Sequence, residues 1–393
     1  MKVLQINSVC GIRSTGKICT DIAMLLESRG HSCQIAYGRE TVPAVYEKFA
    51  HKIGTKGDAY ADALESRIFD NAGFNSVATT KRFVEWMREY DPDVIHLHNL
   101  HGYYINVELL FAALKEMDKP VIWTLHDCWP FTGHCSHFDR IGCRKWQKGC
   151  YQCPQTQKYP ASFGLDRSKT NYARKKACFT GVKNLTIVTP SRWLADLVKQ
   201  SYLGQYNVEV IPNGINTQVF RPAEGTFRED YGLQDKKIVL GVASAWGENK
   251  GLFDMYKLAE MLDDTYRVVL VGLKPEQMKK VPKNITAIMR TDNPQQLAHI
   301  YTTADIFVNP TYQDNYPTVN LEAQACGTPV ITYRTGGSVE SVPKGQIVEQ
   351  GDLQGLLLAI ENMENGKIQN MDFSAEHCFF EYIALYDEVI SCK

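Results

Sequence analysis

Long apolar runs are missing from this sequence of 393 residues. No stretch approaches the roughly 18 consecutive apolar residues that a membrane-spanning helix needs, which argues against an integral membrane protein. A surplus of one charge is also missing, because the formal net charge at pH 7 is only −1. A dedicated nucleic-acid-binding protein carries a strongly basic surface, so we expect no nucleic-acid partner. Internal repeats and low-complexity segments are missing as well, and the length suits a globular protein of two or three domains.

A secretion signal is not visible either, since the first residues alternate apolar and polar side chains and read as a strand. We therefore expect a cytoplasmic protein that rests at most on the inner face of the cytoplasmic membrane. The charge is unevenly divided: residues 1–200 hold 27 Lys and Arg against 19 Asp and Glu, or +8, and residues 201–393 hold 16 against 25, or −9. Chance explains such a difference, and so does a basic first domain that meets an anionic membrane surface or a pyrophosphate group.

The densest pattern in the chain runs from Asp305 to Glu340. A short apolar strand leads into a polar loop that carries Asp314, and the following helix carries Glu322 and stops at Gly327. Open parallel sheets bind ligands at the carboxyl ends of their strands. Both carboxylates can therefore face one crevice and accept hydrogen bonds from a polyhydroxylated ligand.

This segment resembles the donor-sugar motif of the retaining glycosyltransferases of family 4. That motif has two acidic residues with seven between them, then Ala-x-Ala-x-Gly-x-Pro-Val and Gly-Gly-x-x-Glu. All of it is present from Asp314 to Glu340, with Asp314 where the family usually has Glu. The resemblance implies the GT-B fold, an α/β architecture in which two Rossmann-like domains with doubly wound parallel sheets face a central cleft.

The same resemblance implies the activity of a hexosyltransferase. A sugar would move, with retention, from a nucleotide-sugar donor to a hydroxyl of a saccharide or of a polyprenyl-diphosphate-linked saccharide. No cofactor would be required for catalysis. The process implied is the assembly of a cell-surface polysaccharide such as a capsule or an exopolysaccharide.

Three segments are expected from the alternation of strands and helices and from the resemblance. Residues 1–205 would form an acceptor-side Rossmann-like domain with a cysteine-rich insert at 128–160. Residues 206–374 would form the nucleotide-sugar-binding domain. Residues 375–393 would form a helix that packs back toward the first domain.

Catalytic positions follow from the resemblance, residue by residue. His126 ends a predicted strand and matches the family histidine that faces the donor sugar, and Lys250, followed by Gly251, matches the lysine that holds the donor diphosphate. The family arginine that precedes this lysine has no counterpart, because its place falls at Ala245 or Trp246. Catalysis is therefore assigned to His126, Lys250 and Asp314. Donor binding is assigned to Glu322 and to a loop formed by Asn315, Tyr316, Pro317 and Thr318.

A glycine-rich segment from Gly11 to Lys17 lies between the first strand and a predicted helix. It nearly matches a phosphate-binding P-loop, but position 18 is Ile, so the hydroxyl that would bind magnesium is missing. Backbone amides at the start of a helix still suit a phosphate. Because the family's corresponding loop faces the cleft, Gly16 is a donor-binding candidate, and a simple tight turn is the alternative.

Histidines cluster near a second predicted strand. His96 and His98 alternate with apolar residues and share one face, a pattern more typical of hydrogen-bonded core groups than of a site. His101 follows in the terminal loop and is the better candidate for a residue that faces a crevice.

Cysteines and histidines crowd into residues 128–153. Four thiols are enough to enclose a tetrahedral zinc ion, and a structural zinc site is predicted at Cys135, Cys143, Cys150 and Cys153. His134 or His137 could replace one of them. The spacing matches no standard zinc ribbon or finger, so free thiols, disulfides and a redox pair stay open as alternatives.

Two other functions fit the same motifs. A GT-B epimerase of nucleotide sugars would share the sheet and the carboxylates but would need no acceptor. A non-catalytic sugar-nucleotide-binding scaffold would need neither turnover nor an acceptor. Product analysis distinguishes the epimerase, which would release an altered free nucleotide sugar.

Overall fold

A computed structural model describes residues 1–343, 345–363 and 373–391. The chain divides into two compact units: unit 1 comprises Met1–Pro212 with Phe379–Lys393, and unit 2 comprises Asn213–Cys378. The boundaries expected from the sequence, 205 and 374, stay a prediction. Residues 364–372 and 392–393 of the expected segments lie outside the described residues.

Unit 1 is built on a parallel sheet. Its strands are β1 (Lys2–Asn7), β2 (Ser32–Tyr37), β3 (Ala50–Lys52), β4 (Val94–Leu97), β5 (Val121–Thr124), β6 (Leu185–Thr189) and β7 (Asn207–Val210). The described residues pair in the order β3-β2-β1-β4-β5-β6-β7, and each of these pairs is parallel. The central strands β4 and β5 are buried along their whole length, as expected where helices cover both faces of a parallel sheet.

Unit 2 repeats this architecture. Its strands are β8 (Lys237–Val242), β9 (Tyr266–Val271), β10 (Ile285–Ile288), β11 (Ile306–Asn309), β12 (Val330–Tyr333) and β13 (Gln346–Val348). The described part of the sheet has the order β10-β9-β8-β11-β12-β13, again parallel. The prediction of two Rossmann-like units with doubly wound parallel sheets is therefore confirmed.

Helices fill the connections between strands. Unit 1 contains α1 (Arg13–Ser28), α2 (Lys56–Phe69), α3 (Val77–Tyr90), α4 (Val107–Met117), α5 (Ser168–Phe179) and α6 (Arg192–Lys199). Unit 2 contains α7 (Phe227–Asp230), α8 (Leu252–Met261), α9 (Pro275–Met278), α10 (Pro294–Thr303), α11 (Thr318–Ala325) and α12 (Leu353–Glu361). The last helix is α13 (Ala375–Ser391), which belongs to unit 1 from Phe379 onward. Short 3-10 helices lie at Ala44–Phe49, Trp129–Phe131, Asp139–Ile141, Lys145–Gln147, Glu248–Lys250 and Gly336–Ser341.

Each sheet has one point at which the strand order reverses. In unit 1 the reversal lies between β1 and β4, and in unit 2 it lies between β8 and β11. The connections that leave two such strands run in opposite directions and open a crevice at the carboxyl ends, where α/β proteins bind their ligands. These two places are therefore the positions at which functional side chains are expected.

Local capping explains several of the helix boundaries. Ser191 accepts a hydrogen bond from the amide of Leu194 at 3.1 Å and thereby caps the start of α6. The glycine-rich segment differs from the expectation, because α1 already begins at Arg13 and Gly16 lies inside the helix rather than in a loop.

Among the described helices, none is both long and apolar enough to cross a membrane.

Candidate active site

Two loops of unit 2 are joined at the reversal of its sheet. The amide of Tyr312, after β11, donates to the carbonyl of Asn249, after β8, at 2.8 Å. The hydroxyl of Thr311 donates to the same carbonyl at 3.2 Å. Gly251 has a φ of +71°, and a Cβ atom there would lie only 2.2 Å from the carbonyl oxygen of Pro310. Glycine is required for this close approach, which brings the two loops into register.

The joined loops place an ammonium group beside a carboxylate. Lys250 Nζ donates to Asp314 Oδ2 at 2.5 Å, and Asp314 Oδ1 accepts from the amide of Asn315 at 3.0 Å. The Lys250 side chain is 37 % exposed, against 16 % for Asp314. The carboxylate is thus the fixed partner, and the ammonium is open enough to reach a second anion. Both lie beyond the carboxyl ends of β8 and β11, and their catalytic roles stay a prediction.

Glu322 lies on α11, the helix that follows this loop. Its Oε2 atom accepts a hydrogen bond from the hydroxyl of Tyr301 at 3.0 Å. Burial, with the nearby charge of Glu322, raises the pKa of Tyr301 well above its usual range, so the hydroxyl remains a donor. One carboxylate oxygen is held in this way, and the side chain is only partly buried. The geometry suits acceptance of ligand hydroxyls by a preoriented carboxylate.

A buried polar network fixes α11, and sequence reasoning did not find it. Asn309 at the end of β11 donates to Asn320 Oδ1 at 2.8 Å, and Asn320 Nδ2 donates to Ser341 Oγ at 2.8 Å. Gln324 donates to the carbonyl of Ser341 at 2.8 Å. Each of these four side chains is buried, so the network holds the helix rigidly between the end of β11 and the 3-10 helix Gly336–Ser341. The sequence signal that could have revealed this network is the presence of amide side chains at helix positions that face the core.

The predicted donor loop precedes α11. Asn213 donates its side-chain amide to the carbonyl of Tyr316 at 3.1 Å. Asn315 is buried, and Pro317 immediately precedes the first residue of the helix, Thr318. The loop is therefore anchored on both sides, although its contact with a donor stays a prediction.

In unit 1, a series of hydrogen-bonded side chains leads from the core to His126. His126 Nε2 lies 3.1 Å from His98 Nδ1, and His98 Nε2 lies 3.0 Å from Gln5 Oε1. Gln5 Nε2 donates to the carbonyl of Cys19 at 2.9 Å, which orients the amide because a carbonyl can only accept. His98 must then be protonated on Nε2, and its Nδ1 accepts the proton of His126 Nε2. These hydrogen bonds fix the tautomer of His126, the predicted catalytic histidine.

The imidazoles of His98 and His126 are both kept neutral. Burial lowers the pKa of His126 to about 4; the charge of Asp127 opposes this effect, and His101 adds to it. Burial also lowers the pKa of His98 well below its usual range, helped by the neighbouring histidines. A neutral imidazole can exchange hydrogen bonds with a sugar hydroxyl without adding charge. This protonation state agrees with the role predicted for His126.

His96 is a core group, as the sequence predicted. Its Nδ1 lies 2.6 Å from the hydroxyl of Tyr386 and its Nε2 lies 2.8 Å from Thr124 Oγ1. Thr124 Oγ1 also lies 3.0 Å from the hydroxyl of Tyr382. The aromatic stripe of α13, read from the sequence as apolar, therefore supplies two buried hydroxyls to unit 1.

His101 is more enclosed than expected. Only 8 % of the residue is exposed, and its two nitrogens lie 2.8 Å from Asp127 Oδ2 and 2.9 Å from the hydroxyl of Tyr159. Burial opposes ionisation of Asp127, but the charge and hydrogen bond of His101 outweigh it and lower the pKa of Asp127 to about 2. His101 is thus a buried partner of a carboxylate, and its place at a crevice stays a prediction.

The cysteine-rich insert gathers the four predicted thiols. A cavity of about 20 Å³ is lined by Cys135, Cys143, Cys150 and Cys153 together with His134. Its size suits one water-sized species. Within the described ranges, however, no group of three or more Cys, His, Asp or Glu side chains is arranged to hold a metal ion. The thiols are collected, but the zinc assignment stays a prediction.

Hydrogen bonds explain why the thiols are not arranged as ligands. Cys135 bonds to Cys153, which lowers the pKa of the Cys153 thiol despite its burial. The amide of Gly133 donates to Cys150 Sγ at 3.2 Å, although burial raises the pKa of Cys150 to about 11. The insert also has an aromatic core that the sequence reading did not expect, in which the rings of Phe138 and Trp146 stack at 4.9 Å.

Gly16 is buried inside α1. A Cβ atom at this position would lie 3.1 Å from Val9 Cγ2 and 3.2 Å from the amide nitrogen of Gly11. The carbonyl of Gly16 accepts the amide of Gly11 at 3.0 Å. Close packing thus accounts for the glycine, and its donor-binding role stays a prediction.

Two Rossmann-like units with parallel sheets are the architecture of the GT-B class of folds. The fold is shared with Anabaena Alr3699/HepE, solved in complex with UDP, at a TM-score of 0.67 and 14% sequence identity over 99% of this chain and 100% of that chain. A family profile described as Glycosyltransferase Family 4 matches residues 15–219, and one described as Glycosyl transferases group 1 matches residues 224–376. The chain belongs to glycosyltransferase family 4, as its motifs predicted.

Curated relatives carry related descriptions. A putative colanic acid biosynthesis glycosyl transferase, WcaC of Escherichia coli (strain K12), is 25% identical over 374 residues, covering 91% of this chain and 89% of the relative. The N,N'-diacetylbacillosaminyl-diphospho-undecaprenol alpha-1,3-N-acetylgalactosaminyltransferase of Campylobacter jejuni is 27% identical over 289 residues, covering 65% of this chain and 76% of the relative.

Proposed function

We propose that this chain transfers a sugar, with retention at the anomeric carbon, from a nucleotide diphosphate donor to a hydroxyl of a growing cell-surface polysaccharide. The observation that carries the proposal is the Lys250–Asp314 pair, 2.5 Å apart, one helix away from Glu322 at the reversal of the unit 2 sheet. A diphosphate needs a cation, and a ribose and a sugar need acceptors for their hydroxyls. Unit 2 offers both within two joined loops and one helix.

Lys250 stabilises the departing diphosphate. Negative charge grows on the leaving group in the transition state, and a positioned ammonium acts there most strongly. Its present partner, Asp314, then holds hydroxyls of the transferred sugar. An ammonium can supply the positive charge that a metal ion supplies elsewhere, so we expect transfer to continue when divalent metals are chelated.

Glu322 binds the ribose hydroxyls of the donor, because one of its oxygens is already oriented by Tyr301. The loop formed by Asn315, Tyr316, Pro317 and Thr318 adds contacts to the donor, and Gly16 is retained as a donor-side candidate. His126 contacts the transferred sugar through its neutral imidazole, whose tautomer is fixed by His98.

The acceptor is proposed to be a saccharide carried on a polyprenyl diphosphate. Support comes from the relative from Campylobacter jejuni, whose description names a diphospho-undecaprenol acceptor. A bilayer-bound acceptor requires the enzyme to reach the membrane surface. The location proposed is the cytoplasm, at the inner face of the cytoplasmic membrane.

The surface of α2 supports contact with a membrane. Tyr60, Leu64 and Ile68, termed here the α2 stripe, recur every four residues and are 78 %, 55 % and 41 % exposed. Residues at this spacing lie on one face of a helix, so the stripe is a continuous apolar surface. Phe163 is 69 % exposed and its amide donates to the carbonyl of Arg67 on the same helix. A surface helix with an exposed apolar face can lie in a bilayer interface.

The proposal is tested by first identifying the base and then measuring transfer. A thermal-shift panel of UDP, GDP and ADP and of their sugars identifies the donor. With that donor, Lys250→Ala is expected to lower kcat about a hundredfold, as is usual for the loss of one transition-state contact. Glu322→Gln is expected to raise the donor KM with a smaller effect on kcat. Proton NMR of the product reports the anomeric configuration.

Matched control variants lie on α8 of the same unit. Lys257→Ala and Glu260→Gln change equivalent charges at exposed positions and are expected to keep normal kinetics. Full activity in both Lys250→Ala and Glu322→Gln would contradict the site. Release of an altered free nucleotide sugar, without transfer to any acceptor, would identify an epimerase instead.

A further inference from the structure

Two arginines of unit 1 lie against one tyrosine, and a third lies nearby. Arg39 lies over the ring of Tyr103 with its Cζ 5.8 Å from the centroid, and Arg67 hydrogen-bonds to the Tyr103 side chain. Arg13 lies in the same region, where it forms an ion pair with Glu40, the residue that follows Arg39. These residues, Arg13, Arg39 and Arg67, are termed the arginine cluster.

The cluster lies at the reversal of the unit 1 sheet. The amides of Gly38 and Arg39, after β2, donate to the carbonyl of Ser8, after β1, at 3.3 and 2.9 Å. A Cβ atom on Gly102, after β4, would lie 3.2 Å from Ser8 Cβ and 3.8 Å from Arg39 Cδ. The ends of three strands therefore meet beneath the cluster. In α/β sheets this is the place at which a ligand is expected.

Positive charge exceeds negative charge around the cluster. Lys52 Nζ lies 3.4 Å from the carbonyl of Glu40, and burial together with the charges of Lys56 and Arg39 lowers the pKa of Lys52. The nearby Asp62 carboxylate is buried and accepts hydrogen bonds from Ser66, Asn75 and Ser76. Glu40 neutralises only Arg13. The remaining cations repel one another, and an anion bound among them would relieve that repulsion.

The chemistry of the cluster fits a diphosphate. A guanidinium presents parallel N–H donors that match two oxygens of a phosphate, and several guanidinium groups can share the oxygens of a diphosphate. The Tyr103 hydroxyl is a further donor, and its buried ring is a rigid support. We propose that the arginine cluster, with Tyr103, binds the diphosphate of a lipid-linked acceptor. This inference rests on the proposed transferase function and names the acceptor group that unit 1 recognises.

The position of Arg67 indicates which diphosphate is bound. Arg67 lies on α2 three residues after Leu64 of the α2 stripe, a spacing that makes the two side chains neighbours on the helix surface, so an anion-binding group adjoins the apolar surface. A polyprenyl diphosphate combines an anion with an apolar chain at the level of the lipid headgroups. The diphosphate of the donor is already assigned to Lys250 in unit 2.

A binding experiment tests the cluster without any acceptor. Inorganic pyrophosphate is titrated into the full chain by calorimetry, in the Lys250→Ala background, which removes the site in unit 2. Arg39→Gln and Arg67→Gln are each expected to weaken pyrophosphate binding about tenfold, because each removes a charge-assisted contact. Arg82→Gln, at an exposed position of α3, makes the same charge change and is expected to have no effect. Unchanged affinity in both cluster variants would overturn the proposal.

A kinetic experiment identifies the source of the diphosphate. The same saccharide is offered on a polyprenyl diphosphate and on a neutral alkyl chain. The cluster variants are expected to raise the KM of the diphosphate acceptor about tenfold and to leave the KM of the alkyl acceptor and of the donor unchanged. Equal effects on both acceptors would overturn the assignment. The absence of transfer to either acceptor in the unaltered chain would contradict the proposed function instead.

A vesicle experiment separates the diphosphate from ordinary anionic lipid. Sedimentation is compared for phosphatidylcholine vesicles that contain either polyprenyl diphosphate or phosphatidylglycerol. The proposal requires Arg39→Gln and Arg67→Gln to reduce binding to the first type more than to the second. An equal loss for both would show that the cluster recognises anionic headgroups in general and would overturn the assignment to a diphosphate.

Discussion

Three histidines of unit 1, His96, His98 and His126, are neutral because they are buried together. The rings of His96 and His98 lie 4.0 Å apart, and those of His98 and His126 lie 5.4 Å apart. Burial lowers the pKa of each, to about 4 for His126 and well below the usual range for the other two. Protonation of any one of them would place a charge in the core and repel its neighbours.

Acid should therefore destabilise unit 1. An unfolded histidine titrates near pH 6.5, so below that pH the unfolded chain binds protons that the folded chain refuses. The free energy of unfolding should fall as the pH falls from about 6.5 to about 4, by roughly 1.4 kcal/mol per pH unit for each histidine. Denaturant unfolding at a series of pH values measures this slope.

His98→Gln provides the comparison for that slope. Glutamine can replace both hydrogen bonds but does not titrate, so the slope of the variant between pH 6.5 and 5 should be smaller by roughly 1.4 kcal/mol per pH unit. His134 contributes to the pH dependence of the free energy of unfolding with the opposite sign, because its hydrogen bond to Asp70 outweighs burial and raises its pKa. A slope unchanged by His98→Gln would contradict the assignment of a neutral buried His98.

The tautomer of His126 gives a second prediction at this scale. The hydrogen bonds that link Gln5, His98 and His126 require the proton of His126 to lie on Nε2. Nitrogen-15 NMR of labelled imidazoles should show a protonated Nε2 and an unprotonated Nδ1 at neutral pH. His98→Leu removes the acceptor, so it should produce a mixture of tautomers and a lower kcat with little change in the donor KM. A single unchanged tautomer in that variant would contradict the positioning role.

Helix α11 shows how one element links stability to binding. Asn320 is fully buried and bonds both to Asn309 and to Ser341, and it lies two residues before Glu322. Asn320→Ala should lower the free energy of unfolding by about 1–3 kcal/mol, because buried partners lose their hydrogen bonds. It should also raise the donor KM, since Glu322 lies on the same helix. Denaturant unfolding and donor kinetics measure the two effects.

An exposed residue controls for that substitution. Asn362 follows α12 and is exposed, so Asn362→Ala should change neither stability nor kinetics. If Asn320→Ala destabilised the protein but left the donor KM intact, the network would be structural only. The link between α11 and the donor would then be wrong.

The cysteine-rich insert carries the prediction of a metal. Four thiols line a cavity of about 20 Å³, and metal binding would require Cys135 and Cys153 to replace their mutual hydrogen bond with metal bonds. Under reducing conditions we expect one zinc per chain by elemental analysis, and lower thermal stability after chelation. Cys150→Ser should abolish binding, whereas Cys178→Ser, in the core of unit 1, should not. Protein without zinc that retains its stability would refute the site.

Elements with ordinary amphipathic patterns were predictable from the sequence. Helix α10 (Pro294–Thr303) is an example, because its proline start and its buried Ile300 and Tyr301 both fit an amphipathic helix. Helix α2 was not predictable, because polar residues lie on its buried face and apolar residues lie on its exposed face. Its buried face carries Asp62 and Ser66, and its exposed face carries the α2 stripe. Periodicity identifies which residues share a face but not which face is buried.

At the scale of the whole molecule, the sequence selected candidate site residues, and the sheet order accounts for the contacts between them. Asp314 and Glu322 were recognisable because they lie close together in one motif. The contact between Lys250 and Asp314 joins residues 64 positions apart, and it depends on β8 lying next to β11. The contact of His98 with Gln5 likewise depends on β4 lying next to β1. Such pairs follow from topology, which composition and spacing do not specify.

Membrane attachment is the prediction that concerns the molecule as a whole. The α2 stripe exposes three apolar side chains on one face, and the apolar Phe69 and Phe163 are also exposed. Burial of apolar area at a bilayer interface would be the main attraction, because this energy scales with the area removed from water. The double variant Leu64→Gln and Ile68→Gln should therefore bind vesicles much more weakly than the unaltered chain. Its transfer to a water-soluble acceptor should be unchanged.

The matched control lies in unit 2, where Leu358 on α12 is also 55 % exposed. Leu358→Gln removes a similar apolar side chain from outside the stripe and should leave vesicle binding intact. Sedimentation with vesicles that contain anionic lipid measures binding at several salt concentrations, because apolar contacts persist where charge contacts are screened. Equal binding by the double variant and the unaltered chain at high salt would contradict attachment through α2. It would leave charge alone as the source of any membrane contact.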